Sequence, residues 1–401
     1  MRILAISEHF HPRVAGTTEY ADQTCQALAS RGHEVHLLVP GSNYWNEQIS
    51  GFTYQVTALG VGWPKSGDPD RGTRYQFAKA ASEIVTSSAA ESSIDVVHIL
   101  FGQFVGEVLC GRVRSSHGLP LVATIHNVPP HECSRSWEGD LFPRRVIDWL
   151  RMKAVDWKNT SRFKDQSFDA YVTPSEAVTC LLREKLSPES VIHTISHGYS
   201  DEFVDMIDSC QTSDGGLSQP VRLLTVGGWV PHKRQHLIPE VAQNLKRSGI
   251  SFEWNVIGPP GRIRYYHDAV VSEIERRDLK ARVHARGAVS HEELSELYLN
   301  SNIYVQPSTE EGFCMSALNA AAIGLPVIGS PAGALPSICE ISEGALVPSN
   351  VDEIYQAILH FINASLWQRD PAPIRQHVRT QFTWAKAAER LAVIYEECRT
   401  F

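Results

Sequence analysis

Ser308-Thr309-Glu310-Glu311-Gly312-Phe313-Cys314-Met315-Ser316-Ala317-Leu318-Asn319 follows the apolar run Ile303 to Val305 and leads into a row of small residues. The order reads as strand, acid-glycine turn, helix. A helix entered that way offers its first backbone N–H groups and the positive end of its dipole to an anion, here at Phe313, Cys314, Met315 and Ser316. Glu311 stands beside these amides as a carboxylate able to hold sugar hydroxyls. A corner that takes phosphate on one side and sugar on the other suits a nucleotide sugar.

Continued through Ala320-Ala321-Ala322-Ile323-Gly324-Leu325-Pro326-Val327-Ile328, the Glu311-Gly312-Phe313 turn resembles the donor-site signature of retaining GT-B glycosyltransferases of family 4, the glycosyl transferases group 1. Members usually carry a second Glu, which generally holds the ribose hydroxyls, where this chain has Asn319. Neutral hydrogen bonds from Asn319 would replace it. The resemblance covers nearly the whole chain. It implies an α/β protein of GT-B type, with two Rossmann-like, doubly wound parallel-sheet domains facing a cleft.

At 401 residues and 43% hydrophobic content the chain can bury two sizeable cores. A formal charge of −8 and a pI near 6.1 argue against a general nucleic-acid binder, which needs cations clustered on a basic face. Any anionic ligand must therefore be held locally. The eight cysteines are scattered without a CxxC pair, and no signal-peptide pattern precedes the strand Arg2 to Ser7. They read as reduced, mostly buried and cytosolic. No run approaches the ~18 apolar residues of a membrane span, so any membrane association would be peripheral, at the inner face.

Short β-rich runs alternate with amphipathic stretches. Arg2–Ser7, Glu34–Val39, Val96–Phe101, Leu121–His126, Tyr171–Thr173 and Val191–Ser196 read as strands of one domain. A polar break over 206–220 has the composition of a linker. The alternation then restarts, with strands at Arg222–Val226, Phe252–Ile257, Val283–His284, Ile303–Val305, Val327–Gly329 and Leu346–Val347. Helices between them begin near Lys233, Ile263, Glu292, Phe313 and Asp352. The expected division is an acceptor-binding domain over 1–205, the linker, a nucleotide-sugar-binding domain over 221–380, and a final helix within 381–401. The resemblance implies that this helix packs back on the first domain.

Gly227-Gly228 ends the strand Arg222–Val226, and Lys233 follows where a helix is expected. Glycines let a backbone approach a pyrophosphate, and an ammonium near it stabilises charge on a departing diphosphate. A strand-Gly-Gly turn is also common without a ligand. Family members usually carry Arg at the position of Gly228. Arg234 either substitutes for it or faces solvent. Gly16 precedes Thr17-Thr18-Glu19-Tyr20 in the loop after the first strand, where the resemblance implies a glycine pair under the donor phosphates. Otherwise it is an ordinary turn with Thr17 or Thr18 as helix cap. His9 and His11 could line the acceptor side.

His126 ends the run Leu121–Ile125, and in open α/β sheets ligands bind beyond the carboxyl ends of strands. It matches the family's cleft histidine, which implies a hydrogen bond to the transferred sugar rather than a general base. His131 and Glu132 are neighbouring candidates. The segment 134–165 interleaves Trp137, Trp149 and Trp157 with Arg and Lys. It reads either as a solvated helix with a buried aromatic stripe or as a peripheral contact with headgroups or an anionic acceptor. Asp68-Pro69-Asp70 spells the DxD of metal-dependent transferases, but in a Pro/Gly-rich loop far from the donor corner. Nothing else gathers metal ligands, so no metal and no cofactor is expected.

The leading reading is a metal-independent hexosyltransferase. Its partners would be a nucleoside-diphosphate sugar and an acceptor glycan, lipid-linked sugar or small molecule. Glu311, Lys233 and His126 would be catalytic. Gly16, Gly227, Gly228, Arg234, Phe313, Cys314, Met315, Ser316 and Asn319 would bind the donor. A nicotinamide oxidoreductase is disfavoured because no GxGxxG follows Arg2–Ser7. A GT-B-like binder or epimerase draws support only from Gly228 and Asn319.

Overall fold

The computed structural model describes residues 1–11, 16–41, 52–61, 70–102, 105, 118–128, 168–200, 203–205, 208, 220–259, 261, 264–368 and 370–400. Asp68, His131, Glu132, the segment 134–165 and most of the expected linker lie outside the described residues.

Two compact units are present. The described residues up to Gly198 form the first together with those from Thr383 onward, and Tyr199–Phe382 forms the second. The first unit thus stops at Gly198, where the sequence reading runs to 205. Its sheet has seven parallel strands in the order β3-β2-β1-β4-β5-β6-β7: β1 (Arg2–Ser7), β2 (Glu34–Gly41), β3 (Gln55–Gly60), β4 (Val96–Phe101), β5 (Leu121–Thr124), β6 (Ala170–Thr173) and β7 (Ile192–Thr194). Between them lie α1 (Gly16–Ser30), α2 (Arg71–Ala90) and α3 (Glu176–Arg183). Strand β5 is buried at every residue, as a parallel strand covered on both faces must be. It ends two residues short of His126, although Ile125 N–H still donates to Val172 (2.8 Å). Asp70, the described acid of the DxD triplet, caps α2 by accepting from Thr73 N–H (2.7 Å).

The second unit has six parallel strands in the order β10-β9-β8-β11-β12-β13: β8 (Val221–Val226), β9 (Phe252–Ile257), β10 (Val283–Arg286), β11 (Ile303–Gln306), β12 (Val327–Gly329) and β13 (Ala345–Leu346). The helices are α4 (Ile238–Arg247), α5 (Arg264–Arg276), α6 (His291–Leu299), α7 (Met315–Ala322), α8 (Leu335–Ile341), α9 (Val351–Asn363) and α10 (Ala372–Gln381). They cover both sheet faces. One core gathers Leu224, Phe313, Leu318, Leu335 and Ile374; the other gathers Leu223, Trp229, Trp254, Val241 and Ile358. Helix α7 lies tight against its neighbours because Ala317, Ala320, Ala321 and Ala322, all buried, keep its surface thin. The last helix, α11 (Trp384–Thr400), belongs to the first unit, where Trp384 meets Tyr20 of α1 (ring centroids 5.9 Å).

In each sheet the chain winds outward in one direction and then starts again in the other. The reversal falls between β1 and β4 in the first unit and between β8 and β11 in the second. Ligands of open α/β sheets bind in the crevice outside the strand carboxyl ends at such switch points.

Candidate active site

In the second unit the crevice is bounded by the residues after β8 and those after β11. The Gly227-Gly228 turn is pinned from beneath: Gly227 N–H donates to Ile257 (2.8 Å) and the buried Gln235 amide donates to the Gly228 carbonyl (2.9 Å). A Cβ on Gly258 would sit 2.1 Å from the Gly227 oxygen, so only glycine lets β9 end this close. The chain then makes a tight 3₁₀ turn at Pro231–Lys233 and passes through Arg234 in the left-handed region (φ 58°). A second 3₁₀ turn, Gln235–Leu237, intervenes, so the helix expected near Lys233 begins at Ile238. Thr309 N–H donates to the His232 carbonyl (2.8 Å), which ties the loop after β11 to the Lys233 turn.

That tie sets Lys233 against Glu311. Nζ donates to Oε1 at 2.6 Å and to Oε2 at 2.8 Å, joining residues 78 positions apart. Both side chains are largely buried, at 17% and 7% exposure. Burial alone would lower the Lys233 pKa, but the Glu311 charge, with the more distant Cys314, and the Glu311 hydrogen bond outweigh it and raise the value. Lys233 is therefore a fixed cation at neutral pH. Glu311 Oε1 also receives Ser308 Oγ (2.7 Å) and Gln306 Nε2 (3.2 Å). The backbone behind Glu311 is equally crowded: at Gly333 (φ 55°) a Cβ would meet the Glu311 carbonyl at 2.4 Å.

Helix α7 starts at Met315, two residues later than expected, because Cys314 precedes it in the left-handed region (φ 81°, ψ 67°). A non-glycine residue held there carries strain of the order of 1–3 kcal/mol. Phe313 sends its ring into the core, so only its backbone is available to a ligand. The Cys314 thiol is pushed up to about 12 by burial and the nearby Glu311 charge. Ser316 Oγ donates to the Val226 carbonyl (3.0 Å), fastening the helix start to the end of β8. Met315 is half-buried beside it. Asn319 Oδ1 accepts from Ser200 N–H at 3.1 Å. Arg234, the expected substitute for the cation absent at Gly228, is half-buried and donates to the Ser349 carbonyl (3.3 Å).

In the first unit the strand ends gather histidines. His126 Nε2 donates to the Leu100 carbonyl (2.8 Å); a carbonyl only accepts, so the proton sits on Nε2 and Nδ1 carries a lone pair. Burial pulls its pKa down to about 4 despite that bond. Its ring lies 4.6 Å from Tyr20 and 5.7 Å from His197. His98, fully buried in β4, bridges Thr124 Oγ1 (2.8 Å) and the Tyr395 hydroxyl (2.6 Å) and is driven to about 3 by burial. His9 stacks on Phe101 (4.1 Å) and contacts Thr17 Oγ1 (2.7 Å), while the exposed His11 pairs with Asp22 (2.9 Å). Gly16 is the first residue of α1, so Thr17 and Thr18 lie inside its first turn rather than capping it.

The strand order and the crevice chemistry define a GT-B glycosyltransferase. Residues 14–203 match the model of the family described as Glycosyltransferase Family 4, and residues 215–376 match that of Glycosyl transferases group 1. One component of human phosphatidylinositol N-acetylglucosaminyltransferase is 30% identical over 98% of this chain and 75% of its own length. MMP alpha-(1->4)-mannosyltransferase of Mycolicibacterium hassiacum is 25% identical, over 99% of this chain and 98% of its own. Sucrose-phosphate synthase of Thermosynechococcus elongatus has the same fold, with a TM-score of 0.73 at 19% identity over 99% of this chain and 98% of that one. This chain belongs to glycosyltransferase family 4.

Sequence reasoning placed Lys233 and Glu311 in one site but missed the residues that hold them. Gln306, the last residue of β11, was not singled out, Ser308 stood only as the first residue of the quoted stretch, and His98 is hidden in an apolar run. The signal available for His98 was a polar residue amid Val96, Val97 and Ile99.

Proposed function

We propose that this chain is a retaining transferase that moves a hexose-type sugar from a nucleoside diphosphate to an acceptor hydroxyl without a metal ion. The observation that carries the reading is the Lys233–Glu311 pair at the switch point of the second sheet. An arriving diphosphate offers Lys233 a partner of higher charge. When the ammonium turns to the phosphate, Glu311 is released to accept hydrogen bonds from donor-sugar hydroxyls.

As the bond to the anomeric carbon breaks, negative charge grows on the departing diphosphate. Lys233, the Gly227-Gly228 turn and the amides of Phe313, Cys314 and Met315 meet it, each well-aimed donor supplying roughly 3 kcal/mol. The same diphosphate accepts the proton of the acceptor hydroxyl, which enters on the face it leaves. His126 is too weak a base for that proton, with its pKa about 4, and its Nδ1 lone pair instead accepts a sugar hydroxyl. Asn319 serves the ribose side, and Ser316 adds its amide to the phosphate cradle.

The sugars in the relatives' names, N-acetylglucosamine and mannose, support a six-carbon sugar, and phosphatidylinositol in the human relative's name supports a lipid-borne acceptor. Among the described residues no helix is long and apolar enough to cross a membrane, and the enzyme would act in the cytoplasm at the inner membrane face.

The test begins with melting-point shifts in UDP, GDP, ADP and dTDP, followed by turnover of the matching sugar donors. Lys233→Ala should lower turnover at least a hundredfold, the scale seen when one such donor is removed, and cost about 2–3 kcal/mol of stability while the fold persists. Near-normal turnover in the folded variant would overturn the assignment. Retained nucleotide binding with no transfer by the parent chain would favour a binder or epimerase.

A further inference from the structure

Glu311 is held by more than Lys233. Beneath it runs a chain of buried polar side chains that the proposed reaction does not use. Tyr304, Gln306 and Ser308 are all 0% exposed, and each spans part of the distance between the start of α7 and the Glu311 carboxylate. The Tyr304 hydroxyl lies 2.8 Å from Ser316 Oγ and donates to Gln306 Oε1 at 2.9 Å. Gln306 Nε2 donates to Ser308 Oγ (2.7 Å) and to Glu311 Oε1 (3.2 Å), and Ser308 Oγ donates to the same Oε1 (2.7 Å).

A buried amide is costly unless its hydrogen bonds are made, and here both N–H groups and the oxygen are engaged. The carboxylate only accepts, which fixes the amide with its nitrogen toward Glu311. Among the described residues Oε1 receives three donors, whereas Oε2 receives Lys233 alone. The two oxygens are thus unequal. If Lys233 leaves for a phosphate, Oε1 keeps two donors and Oε2 keeps none among the described residues.

We infer that Gln306 is a positioning residue for Glu311: with Ser308 it anchors Oε1, so that Oε2 is the oxygen presented to the donor sugar. This rests on the reading of Glu311 as the sugar-holding group. The nucleotide half of the donor does not touch Oε2, so the inference separates sugar recognition from nucleotide recognition.

Gln306→Met keeps the length and removes both donors. Losing hydrogen bonds to a charged group should lower kcat/KM for the sugar donor about tenfold to a hundredfold. Binding of UDP and GDP, which lack the sugar, should stay within about twofold, and in a Glu311→Ala background Gln306→Met should add nothing. An equal loss of nucleoside-diphosphate binding and turnover would mark Gln306 as merely structural and overturn the inference. If Glu311→Ala itself leaves sugar-donor turnover intact, the proposed role of Glu311 fails. If Glu311→Ala is impaired and Gln306→Met is not, only the present inference fails. A ligand-free check uses crystals of Lys233→Ala with and without Gln306→Met. Glu311 should remain on Ser308 in the first and leave it in the second. Departure already in Lys233→Ala would overturn the inference.

Discussion

Gly228 sits where the resemblance read from the sequence implies Arg, and the structure leaves space there for a Cβ. A Cβ built there meets nothing closer than the Pro259 carbonyl at 3.8 Å, and the backbone is not in the left-handed region. Gly228→Arg should therefore fold with stability equal to or slightly above the parent, since a glycine is removed from the unfolded chain. It should tighten nucleoside-diphosphate binding about tenfold by adding a charge-assisted hydrogen bond. Isothermal titration with UDP and GDP checks this; weaker binding by a well-folded variant would mean that phosphate does not lie along this turn. Lys233 and Glu311 were legible as members of one site because each follows a strand end. Their direct pairing was not, since linear order carries no sign that a hydrogen bond from Thr309 to His232 brings the two loops side by side.

Elements were legible where apolar runs and caps coincide. Asn350 accepts from Glu353 N–H (3.0 Å) and Ser290 from Glu293 N–H (3.2 Å), and helices begin beside these caps at Val351 and His291. Strand β3 was missed because, among the described residues, it lies at the sheet edge, pairs only with β2 and buries just Leu59. Helices α8 and α10 were missed because a proline in the first turn resembles a breaker, although it suits that position. The final helix was expected, but not its polar link to the interior. Tyr395 reaches His98 at the centre of the first sheet, so Tyr395→Phe should cost about 1–2 kcal/mol by leaving a buried ring nitrogen without a partner. Urea unfolding followed by tryptophan fluorescence reads that loss, and an unchanged midpoint would refute it.

Across the whole molecule, acid should act through histidines before carboxylates. His126 and His98 are held neutral down to about 4 and about 3, whereas in the unfolded chain they protonate near 6.5. Below that value the unfolded state binds more protons, so stability falls as pH drops from about 6.5 toward 4, and the histidine contribution is fully present only above the window. Asp95 and Glu273, lowered to about 2 by hydrogen bonds from arginines despite some burial, add their losses later. Denaturant midpoints at pH 7 and pH 5 should differ measurably, and substituting His98 with a residue that does not titrate should shrink the difference. The first unit is completed by α11, a segment translated only after the entire second unit. Gly198, the last residue before the chain departs, lies so close to Trp384 that a Cβ would come within 2.4 Å of its backbone nitrogen. On the ribosome, the half whose synthesis starts first must wait, with Tyr20 and His98 lacking their partners on α11, while the half begun later can already close its own core.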